Sequence, residues 1–240
     1  MRYIDSFNIT DAHIIGKSHQ RLLYNNQDAF SWGSNASLTV GVVCDGCGSR
    51  PNSEVGAKLG ARFITNYLLK NASNPSFEIS QLQTALEAFM LRIAQQLADD
   101  SQDDWKEVLR DYFLFTIVGF VANSAGVTFF SMGDGVILHD TTWVDLSTNN
   151  KPNYLCYNLL KSQLGLQFKT FYQANPIQRI LIATDGLQDI LESLTAKKAF
   201  ENCLNRKDLF DSPIVFNQLL MTDFLEWIYD DTTLIFMQQK

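Results

Sequence analysis

With 240 residues, 46% of them hydrophobic and 19% charged, the chain has the composition of an ordinary soluble globular protein and enough apolar material for a sizeable core. Its net charge of −7 argues against nucleic acid as a partner, since that binding rests on clustered Lys and Arg. No apolar run reaches the ~18 residues of a membrane span, and the opening MRYIDSFNITDAHIIGKSH lacks the apolar centre of a signal peptide, so the expectation is a cytoplasmic protein with no membrane partner and with reduced cysteines.

Along the chain, residues 12–32 read as a polar loop that ends in NNQDAFSW. LTVGVVC at 38–44 is an apolar, β-branched run of strand length, followed at once by Asp45 and Gly46. Residues 53–69 predict a helix, with Val55, Leu59, Phe63 and Tyr67 at four-residue steps and Ser53 as its cap. A second helix covers 80–98: Ser80 and Gln83 form a capping box, and Leu82, Leu86, Phe89, Ile93 and Leu97 form the apolar stripe. Next, YFLFTIVGFVA, NSAG, VTFFSM, GDG and VILH read as three antiparallel strands joined by tight turns. Residues 141–178 are loop-rich. RILIATDGLQDILESL gives a strand, a turn and a helix start. Ser212 and Pro213 cap and start a helix to about Trp227, and YDDTTLIFMQ turns into a last strand. Strand clusters around paired helices, without an internal repeat, predict an α+β sandwich in a single domain over residues 1–240.

Two chemistries compete in LTVGVVCDGCGSR. Cys44 and Cys47 have the C-x-x-C spacing of a redox pair or half a zinc site. Cys156 and Cys203 stand alone, and His13, His19 and His139 complete no Cys/His pattern. A thioredoxin-like motif opens a helix directly after its strand, which Gly46, Gly48 and Pro51 oppose. Both cysteines therefore read as small residues packed beside a tight turn. The carboxylates make the stronger pattern. Asp45, Asp134 and Asp185 follow apolar strands, Asp230 and Asp231 precede one, and Asp28 sits at the edge of QDAFSW. Each Asp-Gly alone is a common turn. Several carboxylates converging in a low-dielectric pocket would repel one another. A hard divalent cation, Mg²⁺ or Mn²⁺, resolves that conflict with oxygen ligands.

In order, NNQDAF, VVCDGCGSRPNSEVGAKLGA, FFSMGDGVILH, LIATDGLQDI and YDDTTLIF make the chain resemble a bacterial member of the PP2C-type (PPM) metal-dependent Ser/Thr protein phosphatases, over residues 16–236. The resemblance implies an α-β-β-α sandwich of two antiparallel sheets flanked by helix pairs. It implies a binuclear Mn²⁺ or Mg²⁺ centre held by Asp28, Asp45, Asp185 and Asp230 with the backbone carbonyl of Gly46. Catalysis then rests on Asp45, bridging the ions, and on Asp28, acting mainly through water. Asp134 and Asp189, with Asp185, match a weaker third metal site. In D-D-T-T the first Asp aligns with the ligand, which leaves Asp231 a turn or hydrogen-bonding role. The implied nucleophile is metal-bound hydroxide attacking phosphorus in line. The implied partners are proteins phosphorylated on Ser or Thr and a cognate Ser/Thr kinase.

The chain also departs from the family pattern. Cys47 stands where some members have a His proposed as general acid, and Ser49 replaces the second glycine of D-G-x-G-G. Leu23, five residues before Asp28, occupies the place of a phosphate-contacting Arg; His19 and Arg21 are the candidates to replace it. These losses keep open a second reading, a catalytically weak pseudophosphatase acting as a binding or regulatory module. A third reading, a phosphohydrolase with an Asp nucleophile of the haloacid-dehalogenase kind, wants an early D-x-D after a strand, which DGCGS does not supply.

Overall fold

The computed structural model describes residues 6–98, 104–148, 151–161 and 165–240. The chain opens with β1 (Phe7–Ile14), α1 (Lys17–Leu22), β2 (Ala29–Ser34) and β3 (Leu38–Cys44), then three helices, α2 (Ser53–Asn71), α3 (Ile79–Leu97) and α4 (Asp104–Tyr112). It continues through β4 (Ile117–Asn123), β5 (Gly126–Met132), β6 (Val136–His139), β7 (Thr142–Asp145), α5 (Tyr157–Leu160), β8 (Lys169–Ala174) and β9 (Arg179–Ala183). The last elements are α6 (Gln188–Glu192), α7 (Leu194–Cys203), α8 (Pro213–Leu219) and β10 (Thr232–Gln239).

Two five-stranded sheets result, in the orders β1-β10-β9-β6-β7 and β2-β3-β4-β5-β8. Every pairing is antiparallel. Three buried clusters define the layers. Val43, Val118, Phe120, Ile182 and Ile235 pack between the sheets. Val40, Val42 and Cys44 face α2 and α3 on one outside, and Leu181, Leu234 and Phe236 face α7 and α8 on the other. The expected α+β sandwich with two antiparallel sheets flanked by helices is the observed fold. It also explains why β3 is apolar without alternation, since both of its faces are covered. No helix among the described residues is long and apolar enough to cross a membrane.

Several local expectations fail for physical reasons. Helix α2 does not bury Val55 and Leu59, which are each 40% exposed. It buries Gly56, Ala57, Gly60, Ala61, Ile64 and Leu68 instead. A methyl group at Gly56 would overlap the Tyr112 carbonyl, and one at Gly60 the Phe115 ring, so close approach selects the small-residue face. The α2 cap position is Asn52, and the hydroxyl of Ser53, now the first helical residue, donates to the Cys47 carbonyl at 3.0 Å. In α3 the capping box lies two residues earlier than expected, on Glu78 and Gln81, and Leu97 is 55% exposed. By contrast, Ser212 and Pro213 start α8 as expected, with the serine oxygen accepting from the Ile214 N–H at 3.3 Å.

Strand β6 does not pair with β5. Gly133 and Gly135, with φ of 93° and 133°, turn the chain out of the second sheet, and β6 pairs β9 and β7 in the first. Residues 12–32 contain the end of β1, all of α1 and most of β2 instead of one loop. The stretch 141–178 contains β7, α5 and β8; its residues 149, 150 and 162–164 lie outside the described residues. Edge strands β7 and β8 are half exposed, so neither carries the apolar signal that marks a covered strand.

Candidate active site

Strand register gathers the acidic residues. Ala29 pairs Cys44, and Val136 and Leu234 both pair Ala183, so Asp28, Asp45, Asp134, Asp185, Asp230 and Asp231 all leave their strands at one end of the sandwich. Asp45, Asp185, Asp134 and Asp230 there line a cavity of about 180 Å³ with His19, Cys47 and Tyr154. Asp45, Asp134 and Asp185 each offer an oxygen within 4.8 Å of the others; His19, Asp230 and Asp231 form a second such group.

Each carboxylate has its own support. Asp28 is 5% exposed; its Oδ2 accepts from the Thr184 hydroxyl at 2.7 Å, while its Oδ1 has no hydrogen-bond partner among the described residues. Asp134 repeats the pattern, with Oδ2 accepting from the Thr148 hydroxyl at 2.8 Å and Oδ1 unpartnered. The Asp45 turn is fixed by its carbonyl, which accepts from the Thr116 N–H at 2.8 Å. A Cβ on the next residue, Gly46, would crowd the Gln27 carbonyl and the Ser53 backbone, so only glycine fits. Asp230 stands exposed at the rim, its Oδ1 accepting from the Asp231 N–H at 2.8 Å. Asp28 and Asp189 fall in neither close group and neither lines the cavity; Asp189 Oδ2 accepts from the Tyr229 N–H at 2.7 Å and anchors the segment before β10.

Asp231 differs in kind. It is 2% exposed, and its two oxygens accept from the N–H groups of Gly16 at 2.9 Å and Gln27 at 2.7 Å. His19 Nδ1 lies 2.9 Å from Asp231 Oδ2, off the line of a hydrogen bond. Asp231 thus ties β10 to α1 and to the approach to β2, the hydrogen-bonding role expected for it. His19 reaches the cavity, but Arg21 stands exposed on α1 outside it, and Leu23 is 92% exposed.

Electrostatics sharpen the picture. Burial first, then the charges of Asp28, Asp185 and Asp230, push Asp45 well above the usual carboxylate range. Burial, then Asp231, Asp185 and Asp230, does the same to Asp28 against the opposing Thr184 bond. Asp185 is raised to about 7 by burial and by Asp134 and Asp230. Among the described residues, neither Lys nor Arg lines the cavity. Oxygen donors in repulsion, with Asp134 Oδ1 in the cavity wall and Asp28 Oδ1 outside it both buried and unpartnered, fit a hard divalent cation.

A pH dependence follows. A carboxyl with a raised folded pKa favours folding while protonated, and that contribution is complete below its unfolded value and lost as pH rises through the folded one. In EDTA, the melting temperature of wild type is therefore expected to fall below that of Asp185→Asn as pH rises from about 5 to 8 through the Asp185 value of about 7. A constant difference between the two proteins over that range would contradict the repulsion.

The cysteines separate. All four thiols are free; Cys44 is buried in the core and Cys47 faces the cavity, its Sγ 3.3 Å from Ser49 Oγ. Burial raises the Cys47 thiol, but hydrogen bonds with Ser49 and Tyr154 outweigh it and hold its pKa below the usual value. Turnover of the double variant Cys44→Ala, Cys47→Ser is expected within roughly tenfold of wild type, about 1.4 kcal/mol; stoichiometric zinc bound through sulfur would contradict this. Sequence reading missed Thr184, Thr116, Thr148 and Tyr154, whose roles arise only from contacts across the fold.

The sequence pattern described as Protein phosphatase 2C matches residues 15–212. Among curated proteins, none matches the chain in sequence. Solved structures share the fold. "PppA, a key regulatory component of T6SS in Pseudomonas aeruginosa" is 16% identical, with TM-score 0.66 and 98% of each chain covered. A bacterial serine phosphatase is 16% identical, with TM-score 0.58 and 97% of each chain covered. The catalytic domain of the serine threonine protein phosphatase PstP, in complex with 2 manganese ions, is 15% identical, with TM-score 0.58 and 97% of each chain covered.

Proposed function

Because the chain belongs to the protein phosphatase 2C family of protein-serine/threonine phosphatases, we propose that residues 1–240 work as one metal-dependent catalytic domain that hydrolyses phosphoserine and phosphothreonine in cytoplasmic proteins. The observation that carries the reading is the convergence of carboxylates from separate strand ends on one cavity. We assign two Mn²⁺ or Mg²⁺ ions to Asp28, Asp45, the Gly46 carbonyl, Asp185 and Asp230, and a third site to Asp134 and Asp189 beside Asp185. The unpartnered oxygens of Asp28 and Asp134 support the assignment, as does the manganese held by PstP. When bound, such ions activate water and neutralise charge developing at phosphorus.

The chain's own groups do the positioning. Thr184 orients Asp28, and Thr116 fixes the Asp45 turn. His19, held beside Asp231 with Nε2 on the Gly48 side of the cavity, is the favoured contact for substrate phosphate; Arg21, outside the cavity, is the lesser one. In the net reaction water adds to phosphorus, the P–O bond to serine or threonine breaks, and the leaving oxygen takes a proton from water, since Cys47 supplies no imidazole. A cognate Ser/Thr kinase supplies the substrate.

The alternative is a pseudophosphatase, favoured by the lack of an Arg among the described residues that line the cavity and by the outward position of Leu23. Phosphate release from a phosphothreonine peptide decides between them. Release that requires Mn²⁺ or Mg²⁺ is expected; binding of the peptide without release would favour the alternative.

A further inference from the structure

A phosphoprotein brings its phosphate on a polypeptide, so the wall beside the cavity decides which segments fit. Helix α1 contributes His19 to that wall, yet it buries none of its residues. Polar contacts hold it in place. The Lys17 and Ser18 N–H groups donate to the carbonyls of Ile228 and Tyr229 at 3.3 and 3.0 Å, and the Lys17 ammonium donates to the Glu226 carbonyl at 2.6 Å. Anchored this way, the segment presents Leu22, Leu23 and Tyr24 to solvent, 60%, 92% and 52% exposed. Leu23 has a φ of 56°, in the left-handed region that a leucine adopts only under strain. Three consecutive large apolar residues turned outward, one of them on strained backbone, mark a contact surface.

Leu23, Tyr24 and Pro51 form the apolar part of a depression of about 430 Å³, whose other side chains, among them Asn25, Ser49, Arg50 and Glu54, are polar. Gln27 and Gly48 belong both to its wall and to that of the catalytic cavity, so the two are continuous. The Tyr24 ring, 5.7 Å from that of His19 between centroids, joins them. Charge does not choose the occupant: Arg50 faces Asp111 at 3.7 Å, and Glu54 opposes it in sign.

We infer that this depression is the subsite for the substrate segment flanking the phosphorylated residue, and that Leu23, Tyr24 and Pro51 favour an apolar side chain there; the inference rests on the phosphatase reading above. The test uses phosphothreonine peptides in which leucine or serine occupies each flanking position in turn. It compares wild type with Leu23→Asn, a residue that tolerates positive φ, and with Tyr24→Ser, each checked by thermal melting. The readout is the ratio of kcat/KM for leucine over serine peptides on the same enzyme, which cancels any change in basal turnover. In wild type that ratio is expected to reach about tenfold at one or more positions and to fall towards one in both variants. Equal ratios at every position in wild type, or a preference that survives in both variants, would overturn the inference. So would a concentration-dependent dimer that Leu23→Asn dissolves while wild type shows no peptide preference, since the surface would then serve self-association. Hydrolysis of p-nitrophenyl phosphate by wild type separates the two levels. Its absence with Mn²⁺ removes the phosphatase reading and this one with it; its presence alongside flat peptide ratios removes this one alone.

Discussion

Asp45→Asn is expected to lower turnover of a phosphothreonine peptide by about 1,000-fold or more while leaving the protein folded. The change replaces one anionic oxygen by a neutral amide in a site proposed to hold two dications. Metal affinity and charge stabilisation should fall together. Stability should move the other way. Asp45 is held well above the usual carboxylate range by burial and then by Asp28, Asp185 and Asp230, so its charge opposes folding when no cation is bound. Metal-free Asp45→Asn should therefore melt at or above wild type at pH 8, and added Mn²⁺ should raise the wild-type melting temperature more than the variant's. Wild-type turnover in the variant would remove Asp45 from the mechanism.

Asp230→Asn and Asp231→Asn should separate, although the residues are adjacent. Asp230 is exposed at the rim, so its amide should cost turnover and little stability. Asp231 accepts two backbone N–H groups, from Gly16 and Gln27, with its two oxygens. An asparagine keeps one acceptor and turns its NH₂ against the other donor, a buried loss of about 1–3 kcal/mol. For a chain of this size that corresponds to a fall in melting temperature of roughly 2–4 °C per kcal/mol. Thermal melting beside peptide turnover, for both variants, checks the split. An Asp231→Asn protein that melts like wild type and is inactive, beside an active Asp230→Asn, would move the metal ligand one residue along the chain.

The acidic site could be read in the sequence because strand ends are local. An apolar run followed by Asp-Gly announces itself at Asp45 and Asp185, and the register of two sheets then brings such ends together. The supports of those carboxylates could not be read. Thr184 reaches Asp28 across 156 positions of chain, and nothing near either residue signals the bond. In α2 the period was legible but the face was not, because apolar size suggested Val55 and Leu59 while close packing favoured Gly56 and Gly60. Edge strands β7 and β8 escaped because a half-exposed strand carries little apolar pattern. The crossing of β6 to the other sheet depends on the positive φ of Gly133 and Gly135, and a G-D-G turn fits a hairpin equally well.

Turnover is expected to depend on divalent cations held by these carboxylates. Protein stripped with EDTA and freed of chelator can be titrated with Mn²⁺ while binding is followed by calorimetry and phosphate release from a phosphothreonine peptide is followed in parallel. No release is expected before Mn²⁺ is added; release should then rise with occupancy, and Asp45→Asn should lose both binding and release. Full release by verified metal-free protein would contradict that dependence.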